Sequence, residues 1–598
     1  MAGAAIGPYE KLHNLMVIEC DVAIIGGGLG GVAAALRACR SGVRVCLTEE
    51  SAWLGGQATS QGVSALDEHD HIETFGATAS YYELREAIRD QYRLRYQLSE
   101  SAQQAPFFNP GDGWVSRLCF EPSVCFLAIV GLLLPEVQAG RLQILYRTRP
   151  ASAELDGDTI TAVTVAAADG VRTEIRASWF LDATELGDLL PLTGCAWVAG
   201  AESREQTEEP NARIDGPAPE LTQTWTMPFV VDLCHGQDHT IQRPPNYERM
   251  RDEQPFTLTM RYGSRELTYK VFEPVPDLPG AFWTYRRILS AACFEPKEVP
   301  GDLAMINWAG NDFKGGDLVS AEPDERRQLI DQARQLSLAF LYWLQTEVPR
   351  DDGSGYGYPE LRLRTDVLGT EDGLSMMPYI RESRRIIART TVREQDVSAA
   401  YQPGTRAADF SDSVGVGWYP IDIHGMPADV AATGPTRPFQ IPLGALIPRH
   451  GPQNLLAACK NVGTTHMTNG CYRLHPVEWN IGEAAGALAA FCLGEGCGAV
   501  AVHEQPERLR RFQASLVEVG VPLYWFTDVP IDHVAFAATQ KLAVAGTWQG
   551  SSDDLLFRPG DVLEGVERER LAATSARDVP LTDAVSRGDA AIVLASDS

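Results

Sequence analysis

The sequence lacks any apolar run of the roughly 18 residues that a membrane-spanning helix requires. The nearest, "VCFLAIVGLLLP" (residues 124–135), predicts a buried helix instead. It also lacks a basic start followed by an apolar stretch, so no secretory leader is expected and a cytoplasmic setting is the default. Positive charge is scarce: 51 Lys and Arg stand against 79 Asp and Glu, for a formal net charge of −28. Such a surface repels nucleic acid and anionic membranes, so neither is expected as a partner. The twelve cysteines include no C-x-x-C pair, which removes zinc ribbons and thioredoxin-type dithiols. Buried, reduced thiols are expected in their place. No metal-ligand spacing, internal repeat or low-complexity tract is present.

What the chain does have is length, 598 residues with 44% hydrophobic content, enough for more than one domain with a real core. Its most informative stretch is "DVAIIGGGLGGVAAALRACRSGVRVCLTEE", Asp21 to Glu50. Val22 to Ile25 predicts a strand, Gly31 to Arg40 a helix stopped by Gly42, and Val43 to Leu47 a second strand. Gly26, Gly28 and Gly31 form G-x-G-x-x-G between strand and helix. Gly26 permits the tight turn, Gly28 leaves room for a pyrophosphate, and Gly31 lets helix and strand pack closely. Glu49, at the end of the second strand, is placed to accept hydrogen bonds from a ribose diol. An acid there disfavours a 2′-phosphate. A second glycine pair, Gly55-Gly56, follows soon after and could run beside the far half of a dinucleotide.

Further along, helical periodicity runs from Thr78 to Leu98, and strand-like pieces alternate with turns from Leu142 to Leu181. Asp169-Gly170 predicts a hairpin turn, although with Arg172 it also faintly suggests a motif of flavin aromatic hydroxylases. The polar, Pro-rich stretch Glu208 to Glu220 suggests a crossing into another unit. A middle region to about Thr433 is rich in Trp, Tyr, Arg and Pro, with one clear helix at Pro323 to Glu347. Strand and helix signals return at Asn454 to Gly494, and a linker is expected around Glu504.

Four stretches in order resemble the two-dinucleotide-binding-domain flavoproteins, and within them bacterial FAD-dependent oxidoreductases related to fumarate reductase and glutathione reductase. They are the Asp21 fingerprint, "FLDATELGDLLPLTG" (Phe180 to Gly194), "YIRESRRI" with "YPIDIHG" (Tyr379 to Ile386, Tyr419 to Gly425), and Asn454 to Ala490. The resemblance spans about Val17 to Gly498. It implies an α/β fold: a Rossmann-like FAD-binding domain from discontinuous segments, 18–205 and 434–500, with an inserted α+β substrate domain, 206–433. It also implies FAD as cofactor, with Gly55, Gly56, Gln57, Ala183, Thr184, Asn461, Gly482 and Glu483 joining Gly26, Gly28, Gly31 and Glu49 along it. The helix expected from near Trp479 would point its N-terminus at the flavin.

The sequence departs from that pattern in three ways. No C-x-x-x-x-C follows the acid, no second strand-turn-helix fingerprint for NAD(P)H is found, and Cys459, Lys460 and Asn461 stand where many relatives have Gly-Asp. Thiol–disulfide catalysis is therefore excluded. No His or Cys lies between Gly55 and Asp67 to carry a covalent flavin there.

Candidate catalytic residues are His466, Arg473 and His475, in "GTTHMTNGCYRLHP", and Arg381. A histidine beside a flavin can exchange a proton as hydride moves, and an arginine can clamp a carboxylate. Each could equally be a structural hydrogen-bond partner. Arg381, Arg384 and Arg385 could also pair with nearby acids, and Asp422 and His424 are weaker candidates on the same argument. Trp225, Trp283, Tyr285, Trp308, Tyr342 and Trp343 could line a pocket or pack a core.

Residues 520–598 resemble a small helical module. Tyr524 to Leu571 is similar to one S-layer homology unit, but Gly565 and Val566 replace its Thr-Arg pair, and wall-polymer binding is disfavoured. The expected activity is hydride transfer between a small organic substrate and flavin N5. The alternatives are a flavin monooxygenase using external NAD(P)H or a reduced carrier, and a non-catalytic binding protein tethered by the tail. The substrate, the electron acceptor and any homo-oligomer stay open.

Overall fold

The computed structural model describes residues 16–262, 265–425, 433–574 and 585–596. Its centre is a five-stranded parallel sheet of β1 (Val22–Ile25), β2 (Val45–Glu49), β3 (Leu142–Tyr146), β4 (Trp179–Asp182) and β5 (Leu455–Ala457), in the order β5-β4-β1-β2-β3. Register is continuous across it: Ile24 lies opposite Leu47 on one side and Leu181 on the other. Every residue of β1 is buried, as a strand covered on both faces requires, which explains its unbroken apolar run.

Three helices matter for the site: α1 (Leu29–Arg40), α2 (His466–Tyr472) and α3 (His475–Glu495). Helix α3 starts four residues before the expected Trp479 and lies directly on α1. Small residues allow this contact. A methyl group on Gly482 would lie 1.9 Å from the carbonyl oxygen of Gly30, and one on Gly486 2.3 Å from that of Ala34.

A second sheet pairs Met16–Glu19, in parallel, with Arg172–Arg176, followed by Thr159–Ala167 and Thr148–Asp156 in antiparallel order. The Asp169-Gly170 hairpin closes it, with Gly170 at φ 84° and Asp169 accepting the Val171 N–H. The turn reading therefore holds. The middle region is built on an antiparallel sheet, Arg287–Leu289, Leu303–Ile306, Phe229–Leu233 and Leu361–Leu363, backed by the Pro323–Thr346 helix. Its own aromatic core includes Trp225, Trp283, Phe340 and Trp343.

Two expectations are corrected. The 124–135 stretch does lie in a helix, Pro122–Gln138, but Leu127, Leu134 and Val137 on it are exposed, so only one face is buried. No linker interrupts the chain at Glu504: helices Ala499–Glu504 and Pro506–Glu518 meet there, with Pro506 at the helix start where its missing N–H costs nothing. In the tail, Trp525, Phe526, Trp548 and Phe557 belong to the same core as the parallel sheet. The Trp525 indole N–H donates to the Phe439 carbonyl (3.0 Å).

Candidate functional site

The glycine turn forms a cradle at the carboxyl ends of β1 and β4. Gly26 sits at φ 107°, where a side chain is strained, and a methyl group there would lie 2.1 Å from the Ala183 carbonyl oxygen. One on Gly31 would lie 2.0 Å from the Gly26 carbonyl oxygen. Both glycines are therefore demanded by backbone packing. Gly28 differs: its φ is −62°, and the nearest obstacle is the end of the Glu185 side chain. The second glycine pair returns to the first, Gly55 N–H donating to Gly27 O at 2.8 Å. Gly56 faces Glu185 from the other side. Glu49 closes the cradle, accepting from Gly27 N–H (3.1 Å) and Ser51 N–H (2.6 Å).

Ala183 and Thr184 lie where β4 turns back, and Ala183 N–H donates to Ile25 O at 2.7 Å. Both line the cradle with Ser60, Gln61 and Met377. Other expected cofactor residues fall elsewhere. Asn461 ties the end of β5 to the Asp182 carbonyl (3.0 Å). Gly482 is two turns inside α3, against Gly30, and Glu483 pairs with Arg37 (2.7 Å) and Ser80 (2.5 Å). The first turn of α3 takes the place expected for them: Glu478 accepts the Gly30 N–H (3.1 Å) and the Gln57 amide (2.5 Å).

Charge in the cradle is concentrated and buried. The Lys460 ammonium is paired with Glu185. Burial opposes its charge, but Glu185, Cys459 and Glu478 outweigh burial and raise its pKa. The Glu185 Oε1 atom is buried with no hydrogen-bond partner among the described residues. A side-chain-free groove, an acid at the ribose end and a buried cation together fit a dinucleotide, with the Lys460 charge offsetting the Glu185 carboxylate beside the pyrophosphate.

Burial pushes the carboxyls of Glu49 and Asp182 up to about 7. A carboxyl whose folded pKa exceeds its unfolded value binds more protons when folded. Its contribution is full below the unfolded value of about 4 and is lost as pH rises through about 7. Asp67, Asp312 and Asp422 are depressed and act oppositely, losing their contribution only as pH falls below about 4. Glu49 and Asp182 are thus expected to make the flavin-free protein more stable at pH 5.5 than at pH 8 by on the order of a few kcal/mol, partly offset by His475, whose lowered pKa acts the other way below about 6.5. Thermal scans across pH check this, and Glu49→Gln should flatten the slope.

A cavity of about 400 Å³ adjoins the cradle, lined in part by Asp67, Arg286, Tyr379, Arg381, Asp422, His424 and Arg473. The chain itself joins the two spaces. Met377 lines the cradle, whereas Tyr379 and Arg381 line the cavity. Ile380 N–H donates to the cradle residue Gln61 (3.2 Å), and Gln57 donates to the carbonyl of Arg473 (3.0 Å).

Of the predicted catalytic residues, Arg381 and Arg473 meet here. Arg381 pairs with Asp312 (3.0 Å), and Arg473 donates to Tyr379 OH (2.8 Å). His466 does not line the cavity: it begins α2 and bonds Glu382 (2.8 Å), in a buried cluster with Arg385 and Glu202. His475 is also spent. Its Nδ1 accepts from Asp67 N–H (3.0 Å) and its Nε2 donates to Val63 O (3.1 Å), while burial lowers its pKa to about 4. The histidine in the cavity is His424, with Nδ1 on Asp312 (2.7 Å) and Nε2 on Asp422 (3.2 Å). Burial and Arg381 oppose its protonation, but the two aspartates outweigh them and raise its pKa. Arg286 and Asp67, paired at 3.2 Å, carried no sequence signal. Tyr285 and Trp308 line the cavity; Trp225, Trp283 and Trp343 are core.

No curated protein matches the chain. Solved structures similar to it include the L-proline dehydrogenase of P. horikoshii, at 17% identity and TM-score 0.16. That match covers 33% of this chain and only 28% of the dehydrogenase. The p-nitrophenol 4-monooxygenase of Pseudomonas putida DLL-E4 is 12% identical with TM-score 0.31, covering 90% of this chain and 91% of that one. A geranylgeranyl bacteriochlorophyll reductase-like protein of Thermoplasma acidophilum is 9% identical with TM-score 0.32, covering 93% and 96%. Among protein families, the description "FAD dependent oxidoreductase" fits residues 21–516, which hold the whole parallel sheet, the glycine cradle and the cavity. Over that length the match is decisive, and the chain belongs to the FAD-dependent oxidoreductases.

Proposed function

We propose that the enzyme transfers a hydride between a small organic substrate in the cavity and N5 of FAD held in the cradle. When bound, FAD supplies a two-electron acceptor or donor. The observation that carries this reading is the short link between the two spaces: Met377 lines the cradle, Tyr379 and Arg381 line the cavity, and Ile380 N–H between them donates to the cradle residue Gln61. In it, Gly26, Gly28, Gly31, Gly55 and Gly56 clear the backbone path, Glu49 receives the ribose hydroxyls, and Lys460 answers the pyrophosphate charge. Arg286, Arg381 and Arg473 orient the substrate, and His424, between Asp312 and Asp422, holds the proton that the substrate exchanges.

On this reading residues 18–205 and 434–500 form the FAD domain, and 206–433 the substrate domain. The tail from 520 packs rather than tethers: the Leu523 carbonyl accepts from both Gln440 Nε2 and Ser413 Oγ (2.8 Å each), fixing it beside the body. The Asp169-Gly170 turn, closing a hairpin, gives no support to a hydroxylase. The test is anaerobic. Small-molecule fractions mixed with flavin-loaded protein should bleach the visible flavin band without NAD(P)H, and deuterium at the reacting carbon should slow the bleaching. Bleaching that requires NAD(P)H, followed by oxygen insertion, would assign a monooxygenase.

A further inference from the structure

The cavity's charges go beyond what hydride transfer needs. Arg286, Arg381 and Arg473 are only 7%, 2% and 2% exposed. Asp67, Asp312 and Asp422 stand against them one for one. These six cancel, and His424 is left over. Its two ring nitrogens each face a carboxylate oxygen, so both carry hydrogen and the ring is a cation. Among the described residues the cavity wall therefore holds one positive charge in excess, on the half-buried His424 ring.

The donors point the same way. Each guanidinium has five N–H groups and no acceptor. Among the described residues, Arg286 hydrogen-bonds only Ala65 O (3.1 Å) and Asp67 (3.2 Å), and Arg473 only Tyr379 and Asp422. The Nε–H groups of all three arginines are buried without a partner among the described residues. Arg286 also lies over the Tyr285 ring (5.1 Å) and Arg381 over the Tyr379 ring (4.7 Å), so these guanidinium faces are covered. The Arg381 Nη atoms are already met by Thr224, Thr226, Asn307 and Asp312. The edges left to a ligand are therefore those of Arg286 and Arg473, and edges are what a carboxylate engages in paired hydrogen bonds.

We propose that the substrate is a monocarboxylate with a flat apolar body, its carboxylate set between the Arg286 and Arg473 edges and its body against Tyr285, Trp308 and Tyr419. This rests on the cavity being the substrate site. One negative charge balances the wall. A neutral ligand leaves buried donors unmet, and a dianion brings an uncompensated charge into a buried space. The volume, about 400 Å³, is at the small end for ligand pockets.

Three probes of one shape test it on the flavin-loaded protein: benzoate, benzamide and phthalate, titrated by perturbation of the flavin spectrum and by thermal shift. Benzoate should bind at least about tenfold tighter than either of the others. In Arg473→Gln its affinity should fall about a hundredfold, with Arg473→Lys between. Should Arg473→Gln not fold, the three-probe comparison on the unaltered protein still decides. Equal binding of benzamide, tighter binding of phthalate, or no saturable response to any probe overturns the monocarboxylate. None of these touches the hydride-transfer reading, which fails separately if no fraction bleaches the flavin.

Discussion

Gly28→Ala yields a folded protein that has lost its flavin. The argument turns on what each glycine of the fingerprint touches. At Gly31 and Gly26 a methyl group meets backbone at 2.0 and 2.1 Å, so those substitutions break the packing of turn, helix and strand. At Gly28 the backbone is ordinary and the nearest atom, Glu185 Oε1 at 2.7 Å, is the end of a side chain that can move. Free of cofactor, the chain absorbs that methyl group cheaply. With cofactor it cannot, because the methyl group fills the side of the cradle where Gly28 and Gly56 face each other across Glu185. The expected result is an FAD dissociation constant raised about a hundredfold or more, roughly 3 kcal/mol, with the melting temperature of the flavin-free protein nearly unchanged. Gly31→Ala should instead lower that melting temperature. Fluorescence titration with FAD and thermal scans separate the two; retention of flavin by Gly28→Ala would remove the cradle from the pyrophosphate.

Lys460→Met should have an effect as large, in two observables together. Lys460 is the cation paired with Glu185, it is 1% exposed, and Glu478 approaches the same space from the first turn of α3. Its loss strands the half-buried Glu185, and breaking a buried ion pair from one side costs at most about 3–5 kcal/mol. It also leaves two carboxylates facing the site that must accept a pyrophosphate, with the positive end of α1 as the remaining attraction. Both the melting temperature and FAD affinity should drop, the latter by at least about a hundredfold. Adding Glu185→Gln to Lys460→Met should restore most of the stability, because the stranded charge is gone. A Lys460→Met protein that binds FAD normally would show that the ammonium serves the fold alone.

How much of this could be read in advance followed sequence distance. The strand, glycine turn, helix and terminal acid are local, and Gly26, Gly28, Gly31 and Glu49 all fall where the spacing put them. Arg381 and Arg473 were also named from sequence, as cations that could clamp a carboxylate or pair with acids. The partners of the histidines were not legible. His475 looked free because its partners, Val63 and Asp67, lie more than 400 residues away. His466 is absorbed by Glu382, on another segment. His424 becomes the cavity's cation only when Asp312, 112 residues before it, is folded beside it. The same holds for Gly482, whose close contact with Gly30 spans 452 residues of sequence. Short-range pattern located the glycine cradle; the adjoining cavity is assembled from segments whose charges have meaning only together.

The account rests on FAD lying in the cradle beside the cavity, and its most direct test is an absorption spectrum of the purified protein, native and after acid precipitation. The predicted result is a flavin spectrum with about one FAD per chain, released to the supernatant by acid, since the cradle holds it through hydrogen bonds and charge. A colourless protein that takes up no added FAD would contradict the account.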